Sequence, residues 1–274
     1  MNLKMNENYF IDSINEYDNA YQKFSNNHLP AYKEFYVESR EDAEFYSYYL
    51  AKLYNVPQLN KCYGCNGRSE VLLEYKKYKG KKAGFIIDLD YLPIKKEEYT
   101  DLIVTTGYSM ENFFFYKIGS TYNFEILFKK LYTNHFERNK KIKEYIKSLN
   151  YFKNKYLLYY AYFKTCMEFS YKNILCDKHI LVKDLLGENN NIADIINNEI
   201  DCLNYKIRDK FKLRYEQNIE IIKTEEYMLL RGHDIFDHLV DFLINDNKSI
   251  KGSYIRKLAY EMIIPKTFEQ QINF

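Results

Sequence analysis

The sequence predicts an α/β fold: an open, mostly parallel sheet flanked by helices, with a large helical carboxyl-terminal region. Three observations lead there. Gly84-Phe85-Ile86-Ile87 is continuously apolar between Lys81-Lys82 and Asp88-Leu89-Asp90, as a central parallel strand covered on both faces must be. Strand-like runs alternate with helix-like runs between residues 33 and 105, the pattern of βαβ units. From about residue 108 onward the pattern turns helical.

Taken in order, residues 8 to 24 carry a loose helical pattern within an amino-terminal helical segment at 1–27. Asn26, Asn27 and Pro30 interrupt it before Lys33-Glu34-Phe35-Tyr36-Val37, a short strand. Ala43, Tyr46, Leu50 and Leu53 recur at three- and four-residue steps, which predicts a helix over 41–54 that Ser39 is placed to cap. An apolar patch at Gln58 to Tyr63, the turn-forming Asn66-Gly67 and an amphipathic run from Ser69 to Tyr78 predict another strand and helix. Leu102 to Thr105 adds a strand, and together these elements define an α/β domain over 28–125.

The remainder, 126–274, is expected to be mainly helical. Helices are predicted over Met110 to Ile118, Asn123 to Tyr132 and a Lys- and Tyr-rich stretch at 137–170. Another follows where Ile192, Ile195, Ile196, Ile200, Leu203 and Ile207 share a face. Tyr227-Met228-Leu229-Leu230 reads as a short strand leading through Arg231-Gly232-His233-Asp234 into a helix with Ile235, Leu239 and Phe242. This strand and helix at 225–245 are expected to return to the sheet. No internal repeat is visible.

Composition narrows the function classes. The 40 Lys and Arg against 38 Asp and Glu give a net charge of +2, too small for a nucleic-acid coat protein or a polybasic membrane binder. Any polyanion site must be a local patch. The 30 Tyr, with no Trp, are read as core filler rather than as a stacking surface, because an aromatic count alone decides nothing. Five Cys are too few and odd for a disulfide framework in 274 residues, so a reducing, cytoplasmic setting is expected. The amino terminus lacks a signal-peptide pattern, and apolar runs such as Tyr156 to Phe163 are far shorter than the roughly 20 residues of a membrane span.

The chemistry is expected among the acids. Two carboxylates one residue apart at the end of a buried strand, Asp88 and Asp90, cannot enter the core ionised without help and should face solvent or a cation. Glu38, at the end of a neighbouring strand, completes an all-oxygen set suited to magnesium or manganese. Such a site activates water and neutralises phosphate charge. The competing reading makes Asp88 and Asp90 turn and helix-start residues.

These residues resemble the Toprim fold, in which a Glu after the first strand and a DxD after a later strand bind catalytic metal. The match is carried by Phe35-Tyr36-Val37-Glu38 and Phe85-Ile86-Ile87-Asp88-Leu89-Asp90. More narrowly, VESREDAEFY, FIIDLDY and TTGYSMENFF are similar to the branch related to overcoming-lysogenization-defect nucleases, which includes the AriB-type effectors of PARIS phage defence. The likeness covers about residues 30–120 and, more faintly, 225–245. It implies metal-dependent phosphodiester cleavage with Mg2+ or Mn2+, Glu38 as ligand or general base, Asp88 and Asp90 as metal ligands, and Glu111 of the Glu111-Asn112 pair as a second-metal ligand. An acid in a helix's first turn is the alternative for Glu111. Related nucleases often carry Lys where this chain has His233, whose imidazole is a candidate to stabilise the transition state or bind phosphate, or is structural. Arg231 is a candidate phosphate contact.

Other signals are weaker. Cys62-Tyr63-Gly64-Cys65 has zinc or redox spacing, but no second CxxC completes it, and His135, Cys166, Cys176 and His179 are scattered. No Walker A or GxGxxG loop is present, so an ATPase, ABC-type or AAA, is expected as a separate partner, as the resemblance implies. Lys76, Lys77, Lys79, Lys81 and Lys82 form either a phosphate-steering patch or a solubilising helix face. The leading expectation is a nuclease toxin of phage defence acting on RNA such as tRNA more than on DNA, as a monomer, homodimer or partner-bound chain. The alternatives are a noncatalytic Toprim-like adaptor and a haloacid-dehalogenase-like phosphatase with Asp88 as nucleophile. In place of the Gly and Thr usual there, this chain has Tyr91-Leu92-Pro93.

Overall fold

A computed structural model describes residues 34–53, 61–78, 83–91, 99, 102–105, 108–115, 117–118, 121–172, 175, 182, 191–225, 227–248 and 250–262. The expectations for 1–27 and for Lys79, Lys81, Lys82, Cys176 and His179 lie outside these residues. The architecture is α/β with a large helical region, and it packs as two compact units. One holds the described residues up to Ile87 and takes back 102–103; the other holds the described residues from Asp88 to Tyr99 and from Val104 onward.

In the first unit, β1 (Glu34–Val37) alternates half-buried and buried residues, with Phe35 and Val37 fully enclosed. Helix α1 (Arg40–Leu53) follows at once because Ser39 and Asp42 close a reciprocal cap. The Asp42 amide donates to Ser39 Oγ at 3.0 Å and the Ser39 amide donates to the Asp42 carboxylate at 2.8 Å. Phe45, Tyr46, Tyr49 and Leu50 are buried, so Tyr46 and Leu50 of the expected stripe face the core together with the aromatics at 45 and 49.

Strand β2 (Cys62–Gly64) and strand β3 (Ala83–Ile87) flank β1 in parallel, Tyr36 lying opposite Tyr63 on one side and Phe85 on the other. All five residues of β3 are buried. With β4 (Leu102–Val104) the sheet order is β2-β1-β3-β4. Asn66-Gly67 makes the expected turn, Gly67 with φ of 91°, which glycine adopts without steric cost, and α2 (Arg68–Tyr78) returns to pack on β1 and β3.

The second unit opens with a buried 3-10 helix, Met110–Phe115. The helix expected to continue to Ile118 instead gives way to a hairpin of β5 (Lys117–Ile118) and β6 (Thr121–Tyr122). Helices α3 (Phe124–Leu131) and α4 (His135–Glu168) follow, the latter capped by the Asn134 side chain accepting from the Phe136 and Glu137 amides. Tyr145, Tyr159, Tyr160 and Tyr162 of α4 are fully buried, so Tyr does fill the core. The single helix expected over 192–207 is two, α5 (Ile192–Asp201) and α6 (Tyr205–Thr224), because Asn204 caps a new start by accepting from the Lys206 amide. Residues 227–230 form a turn rather than a strand. Leu230 N donates to Tyr227 O at 3.3 Å, and Asn112 Nδ2 donates to both Tyr227 O and Leu230 O, at 2.8 and 3.0 Å. Helix α7 (Gly232–Asp246) then packs on the 3-10 helix, and α8 (Gly252–Met262) packs on α3 and α7. Among the described residues no helix is long and apolar enough to cross a membrane.

Two contacts yield stability predictions. A Cβ on Gly64 would lie 2.4 Å from Ser39 O and 2.6 Å from Arg40 N, so Gly64→Ala is expected to cost about 1–3 kcal/mol in urea unfolding. Glu168 joins α4 to α6, accepting from Arg214 Nε and Nη2 at 2.7 and 2.9 Å and from Asn218 Nδ2 at 3.0 Å. Burial pushes its carboxyl up, but Arg214, Lys164 and Asn218 outweigh it and hold the pKa at about 2. The folded value lies below the ordinary 4.5, so this stabilisation is complete above pH 4.5 and is lost as pH falls toward 2. Chemical denaturation across that window should show a slope that Glu168→Gln flattens.

Candidate active site

Glu38 is the residue that directly follows β1. The Cys65 amide donates to Val37 O and the Gly67 amide to Glu38 O, both at 2.8 Å, so β2 and the following turn fix the backbone on either side of the acid. Its carboxylate meets Arg68 Nε at 3.4 Å, with side chains 10% and 13% exposed. Arg68 opens α2, a position that brings its cation back to the end of β1.

Asp88 directly follows β3 and is half-buried, while Asp90 is buried. The segment is held backbone first: Leu89 N donates to Thr105 Oγ1 at 3.0 Å, and Asp90 N donates to Tyr108 O at 3.1 Å. Asp90 and Tyr91 both have left-handed backbones, with φ of 47° and 56°. Neither is glycine, and such residues cost of order 1 kcal/mol or more each unless the surroundings over-determine them. Strain of this kind gathers where side-chain direction matters more than local comfort.

Glu111 lies in the 3-10 helix, 1% exposed, and accepts from Ser109 Oγ at 2.6 Å. His233 Nδ1 stands 2.7 Å from its other oxygen, and the ring itself is 61% exposed. Burial raises the Glu111 pKa, but His233 and Ser109 prevail and hold it at about 2. Glu111, by its charge and its hydrogen bond, in turn lifts His233 to about 9. At neutral pH the pair is a buried carboxylate under an exposed imidazolium. Gly232 permits this approach, since a Cβ there would lie 2.0 Å from Ser109 Oγ and 2.9 Å from Glu111 Oε2.

Arg231, a candidate phosphate contact from the sequence, is 1% exposed. Its Nη1 donates to Tyr159 OH at 3.0 Å, its Nε is 3.6 Å from the Asp234 carboxylate, and its guanidinium lies 5.3 Å from the Phe163 ring centre. Those contacts turn its donors into the core, so a phosphate in solvent does not reach them. Lys77 is exposed and pairs with Glu74 at 2.6 Å. Cys62 is pushed up to about 12, first by burial and then by Asp42 and Cys65, the reverse of what a reactive or metal-bound thiolate needs. Among the described residues no three His, Cys, Asp or Glu side chains are grouped as an ion-holding cluster. Ser109, which fixes Glu111 from two residues away, was not read as a site residue, and the bonds from Asn112 to the 227–230 turn were not legible because Tyr227 and Leu230 lie far along the chain.

The chain matches no protein-family profile, and no curated protein matches it.

The ion pair carries its own prediction. NMR titration of His233 should give a pKa of about 9, falling toward the ordinary 6.5 in Glu111→Gln. Because the folded value is raised, the pair's stabilisation is complete below pH 6.5 and is lost as pH rises through about 9.

Proposed function

We propose that this chain is a Toprim-type, metal-dependent nuclease acting as an anti-phage effector on RNA such as tRNA, controlled by a separate ABC-type or AAA ATPase. The observation that carries the reading is the parallel pairing of β1 with β3: Glu38 is the residue after one strand and Asp88 the residue after the other. Open parallel sheets bind ligands at the carboxyl ends of their strands. Glu38, Asp88 and Asp90 offer only carboxylate oxygens, the donor type that a hard divalent cation takes. Glu111, with one oxygen on Ser109 and one on His233, is the candidate for a second ion.

Bound there, magnesium or manganese would neutralise phosphate charge and lower the pKa of water. The protein's own contributions are to fix the acids and to supply cations. The left-handed Asp90 and Tyr91 set the direction of the second acid, and the His233 imidazolium presents a positive edge to a phosphate oxygen. Arg68 balances the charge of Glu38. A DNA substrate and a homodimer are compatible with the same chemistry.

A second reading, a noncatalytic adaptor that binds the ATPase, is favoured by one feature: Glu38 and Glu111 already have internal cations in Arg68 and His233. Expression of the wild type, Glu38→Gln and Asp88→Asn with the ATPase encoded alongside separates the two. The nuclease reading expects growth arrest with discrete RNA ends, reduced about 100-fold or more in both variants. Equal behaviour of all three under triggering conditions would favour the adaptor.

A further inference from the structure

We infer that the solvent-facing stripe of α4 from Phe136 to Tyr151 binds a single-stranded stretch of RNA, its two aromatics stacking on bases and the lysines between them meeting phosphates. The inference takes RNA from the reading above, on which it rests, and adds the surface along which the strand lies.

The first half of α4 has two unlike faces. Ile142, Tyr145, Leu149 and Phe152 are buried and, three and four residues apart, share one side of the helix. On the opposite side, at the same kind of spacing, stand Phe136, Lys140, Lys143, Lys147 and Tyr151, all exposed. Phe136 is 83% exposed and Tyr151 70%. The two rings lie about 22 Å apart along the axis. The other tyrosines of α4 are buried, so Tyr151 is the one that this helix leaves in the open.

The charge between the rings has a single sign. Lys143 and Lys147 enter no ion pair among the described residues, and Lys140 has only Glu144, at 3.9 Å, which lies closer to Lys141, at 3.1 Å. Lysines three and four residues apart repel one another along a helix, and a polyanion laid across the stripe removes that repulsion. Asn139 and Asn154, exposed on the same side, add hydrogen-bond donors and acceptors. Rings and cations in one line suit a flexible phosphate chain with open bases, because bases stack on the rings while phosphates meet the ammonium groups. A duplex keeps its bases stacked on one another and leaves the rings unused. A bilayer needs a continuous apolar face, which the three lysines interrupt.

The test is fluorescence anisotropy of a labelled, unpaired RNA titrated with the full chain in EDTA, read across a salt series. The proteins are wild type, Lys143→Gln with Lys147→Gln, Tyr151→Ser, and a control, Lys210→Gln with Lys212→Gln, which removes the same charge from exposed positions of α6. The inference expects the α4 lysine pair to flatten the slope of log affinity against log salt by about 1.4, and the control pair to leave it unchanged. Tyr151→Ser is expected to weaken binding about fivefold or more at an unchanged slope. Equal losses in the two lysine pairs, no effect of Tyr151→Ser, or a wild type that does not bind the RNA would each overturn the surface. So would tighter binding of phosphatidylserine vesicles than of RNA through the same residues. Binding in EDTA is read apart from cleavage: stripe-dependent binding beside an absence of RNA ends in cells would overturn the nuclease and uphold the surface. Cleavage that no α4 substitution slows would overturn the surface alone.

Discussion

The pairing of β1 with β3 is the constraint from which the rest follows. A parallel ladder needs both strands to run the same way, so both release their chains at one edge of the sheet. Strand β3 is buried along its whole length and can carry no charge inside. Whatever polar chemistry its sequence encodes must begin at Asp88, the first residue free of the core. Strand β1 obeys the same rule, with Val37 enclosed and Glu38 next. The acids sit where they do because the hydrophobic strands end there.

The second unit solves a different problem, how to hold irregular backbone outside its one short hairpin. Its answer is to spend side chains on main-chain carbonyls. Asn112 takes those of Tyr227 and Leu230, and Tyr91 takes that of Leu229. Buried carbonyls left unpaired are costly, and here each satisfied one becomes a mooring for the next piece of chain. Gly232 then lets α7 start hard against Ser109 and Glu111. The Glu111–His233 ion pair is the exposed end of this chain of contacts.

Much of the first unit was legible because its signals are local. The apolar run at 84–87, Ser39 ahead of its helix and Asn66-Gly67 each specify their structure within a few residues. The second unit was legible in its helices and not in its joints. Periodicity carries on through Leu203 and Ile207, hiding the break that Asn204 makes by capping a new helix. Strands of two residues, as at 117–118 and 121–122, are too short to show alternation. Leu229 and Leu230 look like strand residues until Asn112, more than a hundred positions earlier, claims the neighbouring carbonyls. Arg231 has the composition of a phosphate contact, and only its distant partners Tyr159 and Phe163 reveal it as a core residue. Glu38, Asp88 and Asp90 were visible as a pattern, whereas the pairing of Glu38 with Arg68 and of Glu111 with His233 required the fold.

The measurement that bears most directly on the central claim is a crystal structure of the full chain grown with Mn2+, using anomalous scattering to locate the ion. The account predicts an anomalous peak at the carboxylate oxygens of Asp88 and Asp90, the acids released at the end of β3. Acids that keep their present partners at saturating Mn2+, with no anomalous peak among them, would contradict it.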